Sequence, residues 1–124
     1  MKRTVIGKTG TPYSQALKIE GGELFFISGQ LAVDESGTLV GAGDLEAQAR
    51  YIFSSMENLL AEAGGSLKHI VKIGAFITTM DGYASYGKVR RDVFGDTLPT
   101  SSTVIVAGLV VPGCVIEIEA IAVL

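Results

Sequence analysis

Apolar residues step through this chain in two rhythms. From Leu45 to Ala63 they recur at three- and four-residue intervals, through Ala49, Ile52, Phe53, Met56, Leu59 and Leu60, which predicts an amphipathic helix. Asp44 and Glu46 stand in its first turn, where the helix dipole favours acids, and Gly64-Gly65 ends it as a C-cap. A second, weaker helix is expected over Asp81 to Gly95, with an inner face of Tyr83, Tyr86, Val89, Arg90 and Val93. The remaining apolar segments are short and rich in β-branched residues. Residues 3–7, Ala16–Glu20, Leu24–Ser28, Ile70–Thr79, Thr103–Leu109 and Cys114–Leu124 read as strands. Loops fall at Gly10–Ser14 and across the mixed segment Gln30–Val40, with a turn at Asp34–Gly37. Gly21-Gly22 is expected to close a hairpin between the second and third strands, and Val111–Gly113 to join the last two.

The resulting order is three strands, helix, strand, helix, two strands. It contains two strand–helix–strand units, each expected to cross over right-handed. The fold class is α+β: a mixed sheet carrying two helices on one face, in a single domain spanning residues 1–124. The last strand alternates Val115, Glu117, Glu119, Ile121 and Val123 against Ile116, Ile118, Ala120, Ala122 and Leu124. Both sets are largely apolar, so one face packs on the helices and the other must meet a surface outside the chain. The sheet itself predicts an oligomer.

Composition sharpens this. Hydrophobic residues make up 48% and charged residues only 19%, which excludes disorder and leaves too little charge to cover a small domain. The net charge of −3, with no basic run, disfavours a nucleic-acid partner. One cysteine and one histidine exclude an internal disulfide, a cysteine-rich zinc site and a two-histidine metal motif. Neither a signal peptide nor an apolar run long enough to span a membrane is visible, so a cytoplasmic protein is expected.

Among single residues Glu119 stands out, a carboxylate in a strand that is otherwise nearly continuous hydrocarbon. Covered by another subunit it would be a candidate general acid–base; near a sheet edge, Glu117 and Glu119 would simply stay wet. Ser28-Gly29-Gln30 at a strand end either offers a hydroxyl and backbone N–H groups to a ligand or is a plain turn. His69 reads as a surface residue at a helix end, and Cys114 as a small buried hydrophobe with a subunit cleft as the alternative. The Gly41-Ala-Gly43 stretch lacks the third glycine of a dinucleotide loop, Glu46 standing in its place. Lys88, Arg90, Arg91 and Asp92 read as a solvated helix face.

A resemblance carries the reading further. Pro12–Ala16, Phe26–Gln30, Gln48, Asn58–Gly64, Phe76–Met80, Phe94-Gly95 and above all Pro112 with Val115–Ala122 resemble the Rid family of reactive intermediate deaminases, also called YjgF or L-PSP. The resemblance runs in order along nearly the whole chain. It implies a chorismate-mutase-like fold assembled as a homotrimer around a central β-barrel, with small-molecule clefts between subunits. It also implies hydrolysis of enamines and imines to a keto compound and ammonia, without metal or organic cofactor.

Tyr13, Ser28, Gly29 and Glu119 match the family's ligand-site and water-activating positions. Ser101 stands where the family's carboxylate-binding arginine would be, Thr103 where a cysteine is frequent, and Gly87 where an asparagine is usual. Loss of the guanidinium fork puts deamination of small 2-imino acids in question. Arg90 could replace it only from a helix. The expected function is therefore binding of a small metabolite at subunit clefts, with imine or enamine hydrolysis. The alternatives are a non-catalytic trimeric binding protein and, least favoured, an endoribonuclease.

Overall fold

The computed structural model describes residues 1–124. Its strands are β1 (Lys2–Ile6), β2 (Ala16–Glu20), β3 (Leu24–Gln30), β4 (Ile70–Ile77), β5 (Thr100–Ile105) and β6 (Ile116–Val123); its helices are α1 (Leu45–Glu62) and α2 (Tyr83–Phe94). Four strands form one sheet in the order β3-β6-β4-β5, with β6 antiparallel to both neighbours and β4 parallel to β5. The mixed sheet with two helices is thus the α+β arrangement expected from the chain's pattern.

The α1 helix starts where Asp44 accepts the Ala47 N–H at 3.1 Å, and it yields at Gly64, whose φ of +80° a residue with a Cβ adopts only under strain. Leu45, Ala49, Ile52, Phe53, Met56 and Leu60 bury its inner stripe against Ile73, Ala75 and Ile77 of β4 and Ile116, Ile118, Ala120 and Ala122 of β6. Tyr86, Val89 and Phe94 bring α2 into the same core, where Phe94 meets Phe53 edge-on at 5.1 Å. Gln48 is fully buried among them. Its Nε2 donates to the main-chain oxygens of Gly41 (3.0 Å) and Gly113 (2.9 Å), and its Oε1 accepts the Val115 N–H (2.8 Å). One side chain on α1 therefore ties down the loop entering the helix and the loop that feeds β6.

Gly21-Gly22 does not close the expected hairpin. β2 pairs with β1, Lys2 opposite Glu20 through Ile6 opposite Ala16, in a separate two-stranded ribbon, while β3 pairs with β6. The β6 edge competes for β3 with a longer, more apolar partner, so the two glycines mark the passage from ribbon to sheet. Gly22 is needed there because a Cβ would lie 2.6 Å from the Leu124 main-chain oxygen. Arg3 staples the ribbon to the body: Nη1 donates to the oxygens of Lys68 (3.0 Å) and Ile70 (3.2 Å), and Nη2 to those of Thr97 and Leu98 (both 2.8 Å). Strand β5 also starts earlier than expected and ends at Ile105, because its partner β4 ends at Ile77.

His69 is half-buried in a single 3-10 turn, its Nδ1 accepting the Ser66 N–H at 3.0 Å. Cys114 is buried, and desolvation pushes its thiol above the ordinary range. No helix is long and apolar enough to cross a membrane.

Candidate functional site

The sheet face turned away from the helices carries the chemistry. Strand register arranges it in rows. Between Ile27 opposite Ala120 and Gln30 opposite Ile118, two residues of β3, Ser28 and Gly29, stand against the single residue Glu119 of β6, which makes a β-bulge. On the other flank Glu119 faces Gly74 of β4, and Gly74 in turn faces Ser102 of β5. Ser28-Gly29, Glu119, Gly74 and Ser102 thus form one row across all four strands. The adjoining row runs Phe26, Ile121, Lys72 and Thr100.

Gly74 has a spatial role. A Cβ there would stand 3.4 Å from Cγ of Glu119, so the missing side chain opens the space beside the carboxylate. The resulting cavity, of about 230 Å³, is bordered by Lys72, Gly74, Phe76, Ser102, Glu119 and Ile121. A second cavity of about 370 Å³ adjoins it, sharing Lys72, Ile73 and Ser102 and extending to Tyr13 and Ser101. Together they give a groove with a carboxylate at one end and an ammonium with several hydroxyls at the other. Lys72 takes part in none of the chain's four ion pairs.

Glu119 is exposed in the single chain, and so are Leu24 (67%), Phe26 (68%) and Val104 (50%) on the same face. Wetness at a sheet edge does not explain the acid, since β6 is an interior strand with neighbours on both sides.

Residues 6–124 match the family described as endoribonuclease L-PSP. The chain belongs to this YjgF/L-PSP/Rid family. Among its relatives, a RutC family protein of Pyrococcus abyssi is 35% identical over 112 residues, covering 90% of this chain and 85% of that protein. The 3-aminoacrylate deaminase RutC of Acinetobacter baylyi is 32% identical over 127 residues, covering 98% of each. In three dimensions the chain resembles the Rid family protein YyfB of Yersinia pestis, a protein of unknown function, with TM-score 0.85, 28% identity and full coverage of both chains. A putative endoribonuclease of Thermotoga maritima superposes with TM-score 0.75 at 40% identity, over 100% of this chain and 98% of that one.

Of the site residues expected from the family, Ser28, Gly29 and Glu119 come together in one row, and Tyr13 and Ser101 line the adjoining cavity. Thr103 lies opposite Ala75 and lines neither cavity. Arg90 lies on the inner face that the helical repeat predicts, and for it alone the solvated reading of the charge cluster is overturned. It is 5% exposed, and its Nη1 donates to Ser101 Oγ at 3.3 Å. The other three residues of that charge cluster are exposed, as expected of a solvated face. Arg90 escapes it because the helical repeat turns it inward beside Tyr86 and Val89.

Sequence reasoning passed over Lys72, Gly74 and Ser102. A signal for Lys72 was present: it is a lone charge in the apolar run Ile70–Ile77, the same pattern that singled out Glu119.

Proposed function

We propose that this chain assembles as a homotrimer whose subunit clefts bind a small carboxylate-bearing metabolite and hydrolyse its imine or enamine form. The observation that carries this reading is the row that seats Glu119 between the Ser28-Gly29 bulge and the opening left by Gly74. A second copy over the exposed Leu24, Phe26 and Val104 would remove apolar area from water and close the groove above Glu119. The central barrel expected of the family is the arrangement that would cover this face.

Lys72 and Glu119 are diagonal neighbours across β4 and β6, a relation that separates two residues by roughly 7–8 Å and their Cβ atoms by somewhat less. That span suits a ligand of a few heavy atoms, its carboxylate at Lys72 and its imine carbon near Glu119. In the reaction, Glu119 takes a proton from water as the water oxygen bonds to the imine carbon. The proton passes to nitrogen; the carbinolamine hydroxyl then gives up its own proton, which also reaches nitrogen by way of Glu119, and its oxygen closes the C=O bond as the C–N bond breaks with both electrons going to nitrogen, so that ammonia leaves an oxo acid. An enamine enters the same path after protonation at carbon gives the imine. Water supplies the oxygen and no oxidant or reductant is consumed. The homologue named 3-aminoacrylate deaminase supports this substrate class.

The test is ammonia release from imines generated in the assay from several amino acids, together with 3-aminoacrylate, comparing wild type with Glu119→Gln. The expected result is turnover by wild type and its loss in the variant, with the trimer retained in sedimentation. Equal rates would remove Glu119 from the mechanism.

The family resemblance favours the alternative of a non-catalytic binding protein, because it implies an arginine where this chain has Ser101. Stabilisation of the trimer by short carboxylic acids, with no ammonia from any imine, would establish that reading.

A further inference from the structure

Glu117 is a carboxylate without a partner. It stands on the same face of β6 as Glu119, two residues away, with Phe76 of β4 opposite it. A Cβ on Gly29 would collide with Glu117 Oε2, and the Gly29 backbone lies outside the left-handed region, so glycine stands there for the room it leaves the carboxylate. Glu117 is half-buried, and none of the chain's ion pairs includes it. Withdrawing a charge from water without a counter-ion is costly, so folding alone does not account for it.

A cavity of about 460 Å³ opens beside this carboxylate, between Glu117, Glu119, Phe76 and the loop from β5 to β6, which contributes Val106, Leu109 and Val110. The loop is pinned at both ends: the Val106 N–H donates to the Ile77 oxygen at 2.8 Å, and the Thr78 N–H to the Val115 oxygen at 3.0 Å. No lysine, arginine or histidine borders this cavity. It lies on the far side of Glu119 from Lys72, because Lys72, Gly74 and Phe76 follow one another on this face of β4, with Ile121, Glu119 and Glu117 opposite them. Along the strands the face therefore reads ammonium, carboxylate, carboxylate.

A ligand complementary to that order carries an anion, a protonated imine and a second cation in line. Successive residues on one face of a strand are roughly 6.5–7 Å apart, so the second cation sits one such step beyond the imine carbon. Apolar walls that lead to a carboxylate suit a hydrocarbon stem with a charged tip, and a guanidinium can also stack on an aromatic ring.

We infer that the cavity at Glu117 receives the side chain of the imino acid and selects substrates derived from basic amino acids. Phe76, Val106 and Leu109 take the stem, and Glu117 takes the terminal cation. Glu117 sets specificity and has no part in the bond making and breaking at Glu119. This inference rests on the hydrolytic reading of Glu119 and adds the substrate class that the site serves.

The experiment compares the imines of arginine and citrulline, which share length and shape and differ in the charge at the tip. Each is generated in the assay by an amino-acid oxidase, and imine loss is followed above the uncatalysed rate. Wild type is expected to favour the arginine imine in kcat/KM by about tenfold or more, the size that a charge-assisted hydrogen bond supplies. In Glu117→Gln that preference should shrink to within about twofold, chiefly through KM for the arginine imine. Val110 is 86% exposed, so Val110→Lys leaves the fold intact while setting a competing cation at the cavity mouth. It too should lower the preference.

Equal turnover of the two imines by wild type, or an arginine preference that survives in Glu117→Gln, would overturn the inference. If Glu117→Gln does not fold, an undiminished preference in Val110→Lys overturns it equally. Wild type that hydrolyses neither imine defeats the hydrolytic reading, and calorimetric titration with 5-guanidinopentanoate and 5-ureidopentanoate then decides the cation site by itself. Tighter binding of the guanidino acid, lost in the variants, upholds the site; equal or absent binding overturns it.

Discussion

Replacing Gln48 by Met tests whether hydrogen bonds or simple packing hold the β6 loop in place. The two side chains have similar volume and similar helix propensity, so Gln48→Met removes the three hydrogen bonds with little other change. The Gly41 and Gly113 oxygens keep the Asp44 N–H (2.8 Å) and the Gly43 N–H (3.3 Å) as donors, so the half-buried Val115 N–H is the group left without its partner. An orphaned buried group costs about 1–3 kcal/mol and an ordinary lost hydrogen bond about 0.5–1.5 kcal/mol. Together these place the expected loss at about 2–4 kcal/mol, a large share of the roughly 5–15 kcal/mol that holds a domain together. At this chain length the melting temperature should fall on the order of 10 °C. Urea unfolding followed by circular dichroism measures it, with Glu57→Met on the exposed face of the same helix as control, expected within about 0.5 kcal/mol of wild type. A Gln48→Met loss no larger than that of the control would refute the clamp.

Two further outcomes follow from the same structure. Arg3→Met removes four hydrogen bonds that join the ribbon to the body, so amide exchange in β1 and β2 should accelerate at least tenfold while β4 and β6 stay protected; uniform acceleration would show that the ribbon is not a separate unit. Asp34 accepts the Thr38 and Ser36 N–H groups at 2.9 Å, and these hold its carboxyl below the ordinary 3.8. A depressed folded-state pKa contributes stability that is present above the unfolded value and is lost as pH falls through the folded one. Asp34→Asn should therefore flatten the acid limb of the stability profile below about pH 4, and an unchanged limb would refute the assignment.

The helices, the apolar strands and the uncovered second face of β6 were legible in the sequence, because each depends on spacing along the chain and on local rules of capping and periodicity. The lone carboxylate Glu119 was legible too, since an acid in a hydrocarbon strand is conspicuous in one dimension. Strand partnership was not. Gly21-Gly22 looks the same whether it closes a hairpin or separates a ribbon from a sheet, and only the competition of β1 and β6 for pairing decides between them. The row from Ser28-Gly29 through Glu119 and Gly74 to Ser102 joins residues up to 91 positions apart, and its existence depends on register and on one bulge. Arg90 was half legible, since the repeat of the second helix set it on the inner face but did not say what it meets there. Its charged neighbours at 88, 91 and 92 suggest water, but the helical repeat turns it inward over Tyr86 and onto Ser101. Sequence determined what each segment could become on its own; packing determined which distant side chains met, because hydrogen-bond register and close contact are set by neighbours in space.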